Sequence, residues 1–316
     1  MKNDHLFKTM LSPVLQKSLR LTEVNRCFQI SCVTPYRVWF SDEKKKLILK
    51  DTITDETLHT INKSSGPHTV NPNGDLIYID KDSKINSLSY DLRKRTAFLK
   101  CEYLHTKWKP VSVHCSPFSG DVLVGMYESV IFFPSQSIDK SELTGKVARY
   151  TNTGELKQTM YMYERKVSEN NTHLKLYCFP HYITENNNGD IVVSDSGKHA
   201  VVVTDSEGNL RFSYTGLRSI SSPEGICTDP LSHILLCEGL KVHIIDKDGH
   251  FLSYFLDAQP GIVLPQCIYY DVNCHLLWIA SCSKNNISIY KYITRKSVSL
   301  GKSELSNFQL PYRWSF

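Results

Sequence analysis

A chain of 316 residues with 41 % hydrophobic side chains can fill a sizeable core, and a formal net charge of +5 makes it mildly basic. No uninterrupted apolar run approaches the roughly 18 to 20 residues of a membrane helix, which excludes a helical span and predicts a soluble protein. The ten cysteines form no Cys-x-x-Cys pair, which excludes a zinc-finger module, and the first residues lack a secretory hydrophobic core, so a reducing, cytoplasmic setting is expected.

Residues 1–12 read as a flexible lead, and Pro13 to Glu23 as a lone strand. From Phe28 onward, apolar runs of four to six residues are each closed by turn chemistry, in groups of four. The first group is Phe28 to Val33, Arg37 to Phe40, Lys46 to Leu49 and Thr57 to Ile61. A second begins at Pro67 and carries Asn73-Gly74-Asp75-Leu76-Ile77-Tyr78-Ile79-Asp80, and a third begins near Pro110. Two polar excursions, Glu128 to Thr144 and Tyr161 to Asn171, interrupt the pattern.

The fourth group, Pro180 to Tyr214, is the most regular. Its Asn188-Gly189-Asp190 and Ser196-Gly197 breakers favour tight reversals between short antiparallel strands. The fifth starts at Pro223 and the sixth at Pro265, and the sixth lacks a clear fourth strand. A meander cannot bury both faces alone, so the copies must pack on one another. A last unit short by one strand, with a spare strand at the N-terminus, predicts a closed ring over residues 13–293. Residues 294–316 remain an unplaced tail. Prolines 67, 110, 180, 223 and 265 each lead a first strand, where no ladder donor is needed, and imply one shared register.

The recurring Asn-x-Gly-Asp and Val-x-Val-x-Asp-x-x-Gly-x-Leu patterns resemble NHL repeats. More narrowly, Trp108-Lys109-Pro110, Ser119-Gly120-Asp121-Val122-Leu123-Val124, Tyr182 to Asp190 and Gly225-Ile226-Cys227-Thr228-Asp229 resemble the propellers of invertebrate tripartite-motif (TRIM-NHL) ubiquitin ligases. The resemblance implies an all-β, six-bladed NHL-type β-propeller with four antiparallel strands per blade, closed by an N-terminal strand. RING, B-box and coiled coil are missing from the sequence. The implied role is therefore a non-enzymatic recognition module in the ubiquitination pathway, binding a protein substrate or single-stranded RNA. It would be monomeric here and oligomeric only within a longer coiled-coil form.

In such a ring, the loops between second and third strands share a face with those joining successive units. That face would gather Lys44, Lys45, Lys46, Lys81, Lys84, Lys107, Lys109, Lys198, His199 and Lys284, with Trp108 as a stacking platform for bases. Residues 1–110 hold 19 of the 37 Lys and Arg but only 12 of the 32 Asp and Glu, which favours an anionic partner. Against this stands the plainer reading of solvated turn lysines, with Trp108 filling a gap between blades. The residues after the leading prolines, His68, His181, Glu224 and Gln266, should form a channel ring. Pro67-His68 and Pro180-His181 resemble the zinc-holding pairs of the peptidylglycine amidating lyase. That resemblance implies an alternative, a zinc-dependent lyase using His68 and His181, though Gln266 is a poor third ligand. No cofactor is otherwise expected. Asp80, Asp195, Asp205 and Asp246 recur once per repeat at strand ends, as turn caps do.

Overall fold

A computed structural model describes residues 7–99, 107–129, 139–167, 170–216, 222–255, 264–281 and 285–296. Six four-stranded antiparallel sheets form the blades of a propeller, and no helix occurs among these residues. The inner strands are Gln29–Cys32, Ser64–Val70, Trp108–Cys115, Pro180–Glu185, Ile226–Thr228 and Pro265–Asp271, in blades 1 to 6. Each second strand is buried along its whole length or nearly so, as in Leu76–Asp80 and Ile191–Asp195, because sheets cover it on both faces. The fourth strands alternate, as in Leu210–Tyr214, because they form the wet rim. Apolar clusters fill the spaces between adjacent blades, with Trp39, Tyr78, Tyr150, Tyr177 and Trp278 among the largest buried side chains.

The ring closes through blade 6. Its fourth strand is the N-terminal Phe7–Arg20, antiparallel to Asn286–Arg295, with Leu19 opposite Ile287 and Phe7 opposite Arg295. The strand thus begins at Phe7, inside the stretch expected to be a lead, because Phe7 is buried against blade 6. The last strand likewise extends to Arg295, into the stretch read as a tail. The second excursion is also a correction: Met162–Val167 and Asn170–Lys175 pair as a hairpin between blades 3 and 4. Most of the first excursion lies outside the described residues.

The repeated aspartates do scaffold work. Asp195 is fully buried and accepts backbone N–H groups from Cys178 (2.7 Å), Phe179, Gly197 and Lys198 (2.9 Å each), tying the start of blade 4 to its own second turn. Asp80 accepts from Asp82 and Lys84, and Asp246 from Asp248 and His250. Removing one such carboxylate strands buried donors, each of which costs about 1–3 kcal/mol. Asp195→Ala should therefore lower unfolding stability by roughly 3 kcal/mol in urea denaturation. At the half-buried Asp205, whose turn lies nearer solvent, Asp205→Ala should cost under about 1 kcal/mol.

Candidate functional site

The inner strands leave one ladder edge unpaired within their own sheets, and these edges bond across the blade boundaries. Gln29 of blade 1 donates through Nε2 to the His68 carbonyl of blade 2. The Cys115 N–H of blade 3 donates back to Thr69 Oγ1 of blade 2 (3.1 Å), and Ser112 Oγ of blade 3 to the Pro180 carbonyl of blade 4 (2.6 Å). Thr228 Oγ1 of blade 5 donates to the Glu185 carbonyl of blade 4 (3.0 Å), and the Gly225 N–H to the Gln266 carbonyl of blade 6 (2.9 Å). Between blades 6 and 1, Tyr269 meets the Cys32 backbone.

One side chain spans the channel. Tyr182 of blade 4 donates its hydroxyl to the Phe28 carbonyl (3.2 Å), just ahead of the inner strand of blade 1 on the far side of the ring. Burial pushes the Tyr182 phenol well above its ordinary pKa, so it stays a donor. A cavity of 380 Å³ runs along the inner strands from Tyr182 to the first turns of the blades, and its lining includes Asn71, Pro72, Gly74, Pro117 and Asn273. It therefore reaches the face opposite the predicted lysine face.

Two polar atoms beside this cavity lack hydrogen-bond partners among the described residues: Glu185 Oε2 and His114 Nε2. His114, Leu123 and Arg149 form one row across blade 3. Arg149 reaches over to hold Glu185 Oε1 of blade 4 (2.6 Å) and faces Asp121 Oδ2 (3.5 Å), which Lys157 also binds (2.7 Å). Burial, with the Arg149 charge beside it, lowers the His114 pKa to about 4, so the ring is neutral at pH 7. Sequence reasoning missed this group because it counted only the first residue after each leading proline. His114 and Glu185 lie four and five residues after Pro110 and Pro180.

The predicted channel ring separates into two depths. Pro180 pairs with Asp195 and Tyr182 with Ser194, so His181 is a one-residue bulge, and Gln266 occupies the same place in blade 6. Glu224 has the matching position ahead of the inner strand of blade 5. In blade 2, Ser64 pairs with Asp80 but His68 pairs with Tyr78. That bulge is one residue longer and holds Pro67, which stands three residues after the match to Pro180, so His68 falls level with Ile183, two places deeper than His181. The shared register therefore fails in blade 2. His68 is fully buried, with Nδ1 against the Gly66 carbonyl (3.0 Å) and Nε2 against the Trp39 carbonyl (3.4 Å). It does not converge with His181, and no cluster of three or more metal-ligating side chains occurs among the described residues. The zinc alternative is corrected on this geometry. His181, Glu224 and Lys140 do come together: burial is the first cause of the lowered His181 pKa and the raised Glu224 pKa, with the Lys140 charge second in each.

On the predicted binding face, Lys44, Lys45, Lys81, Lys84 and Lys109 are exposed and Lys46 is half-buried. None of the six has an ion pair or side-chain hydrogen bond among the described residues. Lys107 pairs with Glu128, and Lys198 donates to the Lys175 carbonyl (2.6 Å). His199 is exposed at the end of its turn with φ of 51°, and Lys284 lies outside the described residues. Trp108 is half-buried against the cluster between blades 2 and 3, and Lys146 Nζ sits 4.3 Å from its ring centroid. That covers the face a base would need, which corrects the stacking-platform reading.

No family model and no curated protein matches this sequence. Solved structures match its fold. They include a gluconolactonase from Xanthomonas campestris, at 13 % identity and a TM-score of 0.61 over 90 % of this chain and 95 % of that one. A luciferin-regenerating enzyme matches at 13 % and 0.61 over the same shares, and the WD40 propeller domain of Doa1 at 12 % and 0.55 over 90 % and 97 %. At these identities the likeness shows the propeller alone. It nevertheless corrects the expectation of a non-enzymatic chain, because two of these neighbours are named as enzymes, so the fold does not exclude catalysis.

His68 supplies a pH test of its placement. Burial lowers its pKa from 6.5 to about 4, so the fold favours the neutral ring. The unfolded chain binds the proton first. Stability from this group is thus complete above about pH 6.5 and is lost as pH falls from there toward 4, by roughly 3 kcal/mol. Urea midpoints across that range should fall for the native chain, and His68→Gln should flatten this component.

Proposed function

We propose that this chain is a recognition propeller that binds an acidic protein surface through the lysine-bearing face of blades 1 to 3. As a recognition module it would be similar to the substrate-binding end of the tripartite-motif ubiquitin ligases that its repeats resemble. The observation that carries the reading is the set of unpaired lysines in adjacent turns: Lys44 and Lys45 in blade 1, Lys81 and Lys84 in blade 2, and Lys109 at the start of blade 3. Glu43 and Asp82 are the exposed acids among them, and Asp42 and Asp80 of the same turns are buried, so the exposed charge of the arc is net positive. Dispersed ammonium groups steer an anionic partner and fix its orientation more than they add affinity. With Trp108 covered, base stacking has no evident platform here, which favours protein over single-stranded RNA.

Fluorescence anisotropy with a labelled polyglutamate peptide and a labelled poly(U) strand separates these outcomes. The peptide should bind, weaken with added salt, and bind about tenfold less tightly to Lys45→Glu/Lys109→Glu, a change of roughly 1.4 kcal/mol. Tighter, lysine-dependent binding of poly(U) would move the reading to RNA. Failure of both probes to bind the native chain would remove it.

The cavity supports a second reading. Glu185 Oε2, an acceptor, and His114 Nε2, a donor or acceptor by tautomer, are unpartnered at its wall and suited to hydroxyl groups, which both donate and accept. The gluconolactonase name of one neighbour makes a sugar lactone the first compound to try. Glucono-δ-lactone should raise the melting temperature of the native chain, and less so that of Glu185→Gln. Neither a shift nor hydrolysis above the buffer rate would remove this reading.

A further inference from the structure

Exposed apolar side chains gather on the face opposite the lysines, around the end of the cavity. Tyr36 is 54 % exposed in the first turn of blade 1, and Ile53, in the other turn of that blade on this face, is 64 % exposed. The two turns are joined, since Thr52 donates its N–H to the Tyr36 carbonyl (2.7 Å). Tyr90 of blade 2 is also exposed, and its ring covers Gly74, where an added Cβ would come within 2.6 Å of the ring. Gly74 adopts φ of +83° and lines the cavity. The patch is therefore continuous with the cavity wall through Tyr90.

Arg37 joins the two blades. Its guanidinium carbon lies 5.0 Å from the Tyr90 ring centroid, across the boundary between blades 1 and 2. No side-chain hydrogen bond or ion pair engages this guanidinium among the described residues, and its Nε is a buried donor without an acceptor. The nearby carboxylates are committed elsewhere. Asp51, across the ladder from Arg37, accepts the N–H groups of Ile53 and Thr54. Asp55 pairs with Lys50 (2.6 Å), Asp75 accepts from Asn71 and the Tyr90 N–H, and Asp91 from Ser89 and the Arg93 N–H. On the same edge Arg93, 86 % exposed, lies 3.9 Å from Asp91, and Lys94 adds an exposed positive charge.

A stacked guanidinium with free donors is preorganised for a carboxylate, which it can hold through two parallel bonds. Tyrosine and arginine flanked by apolar surface are also the residues that dominate interface energetics. The turn presenting them is fixed: Thr34 Oγ1 accepts from the N–H groups of Tyr36 (3.3 Å) and Arg37 (3.0 Å). Little ordering is then left to oppose binding. We infer that Arg37, Tyr36, Ile53 and Tyr90 form a docking site for a partner-protein segment that carries an acidic side chain beside a large apolar one. The carboxylate lies on Arg37, and the apolar side chain lies between Tyr36 and Ile53. This site does not rest on the lysine arc, which occupies the other face of the ring.

Selection of a displayed random-peptide library on the immobilised chain tests the assignment, followed by anisotropy on the best synthetic peptide. Enriched sequences should place Asp or Glu next to Leu, Phe or Trp. Binding should fall at least about tenfold for Arg37→Gln and for the peptide with its acid changed to the amide, and several-fold for the surface change Tyr36→Ser. It should be unchanged in Lys45→Glu/Lys109→Glu, and each variant should keep the native melting temperature within a few degrees. Enrichment of peptides without an acid, binding indifferent to both Arg37→Gln and Tyr36→Ser, or no enrichment at all would overturn the site. An effect of the lysine changes alone would assign the binding to the opposite face.

Discussion

The inner strand of each blade has a free edge, and the satisfaction of that edge by the neighbouring blade is the constraint on which this ring depends. A buried backbone donor or acceptor without a partner costs as much as a lost hydrogen bond. Here Gln29, Thr69, Ser112 and Thr228 bond the backbone of the next or previous inner strand. Apolar packing between blades tolerates sliding, whereas these directional bonds fix the radius of the channel. That fixed radius lets a single tyrosine reach from blade 4 to the Phe28 carbonyl at blade 1 and close the bore.

The turns at the two ends of the bore differ chemically. On one, turns between second and third strands carry Lys44, Lys45, Lys81 and Lys84, free of carboxylate partners. On the other, Tyr36, Ile53 and Tyr90 are exposed, Arg37 is stacked on Tyr90, and the Tyr90 ring covers Gly74 of the cavity wall. Long-range attraction belongs to the first end and close, desolvated contact to the second. The recurrent aspartates belong to neither, because their oxygens already hold the backbone N–H groups of their own turns.

Ionic groups that look poised for chemistry divide the same way. Arg149, Asp121, Lys157 and Glu185 form a network between blades 3 and 4 in which most charge is paired. The atoms left over, Glu185 Oε2 and His114 Nε2, belong to residues that line the cavity. His181 and Glu224 sit at the far end of the bore, both under the influence of Lys140.

The sequence by itself determined the number of blades, the four strands of each, the capping role of the aspartates and the closure by an N-terminal strand. Each of these follows from local patterning: turn residues such as Asn188-Gly189-Asp190 stop strands wherever they occur, and a missing strand is visible as a shortfall. Depth along the channel was not legible. Pro180 stands at the start of its strand, but Pro67 is the fourth residue of Ser64–Val70, inside a bulge one residue longer, and this carries His68 two places below His181. Only the tertiary structure decided which side chains meet across blade boundaries. Trp108 reads as a free platform until Lys146 is seen over it, and Arg37 and Tyr90, 53 residues apart, meet only because adjacent blades turn toward the same face.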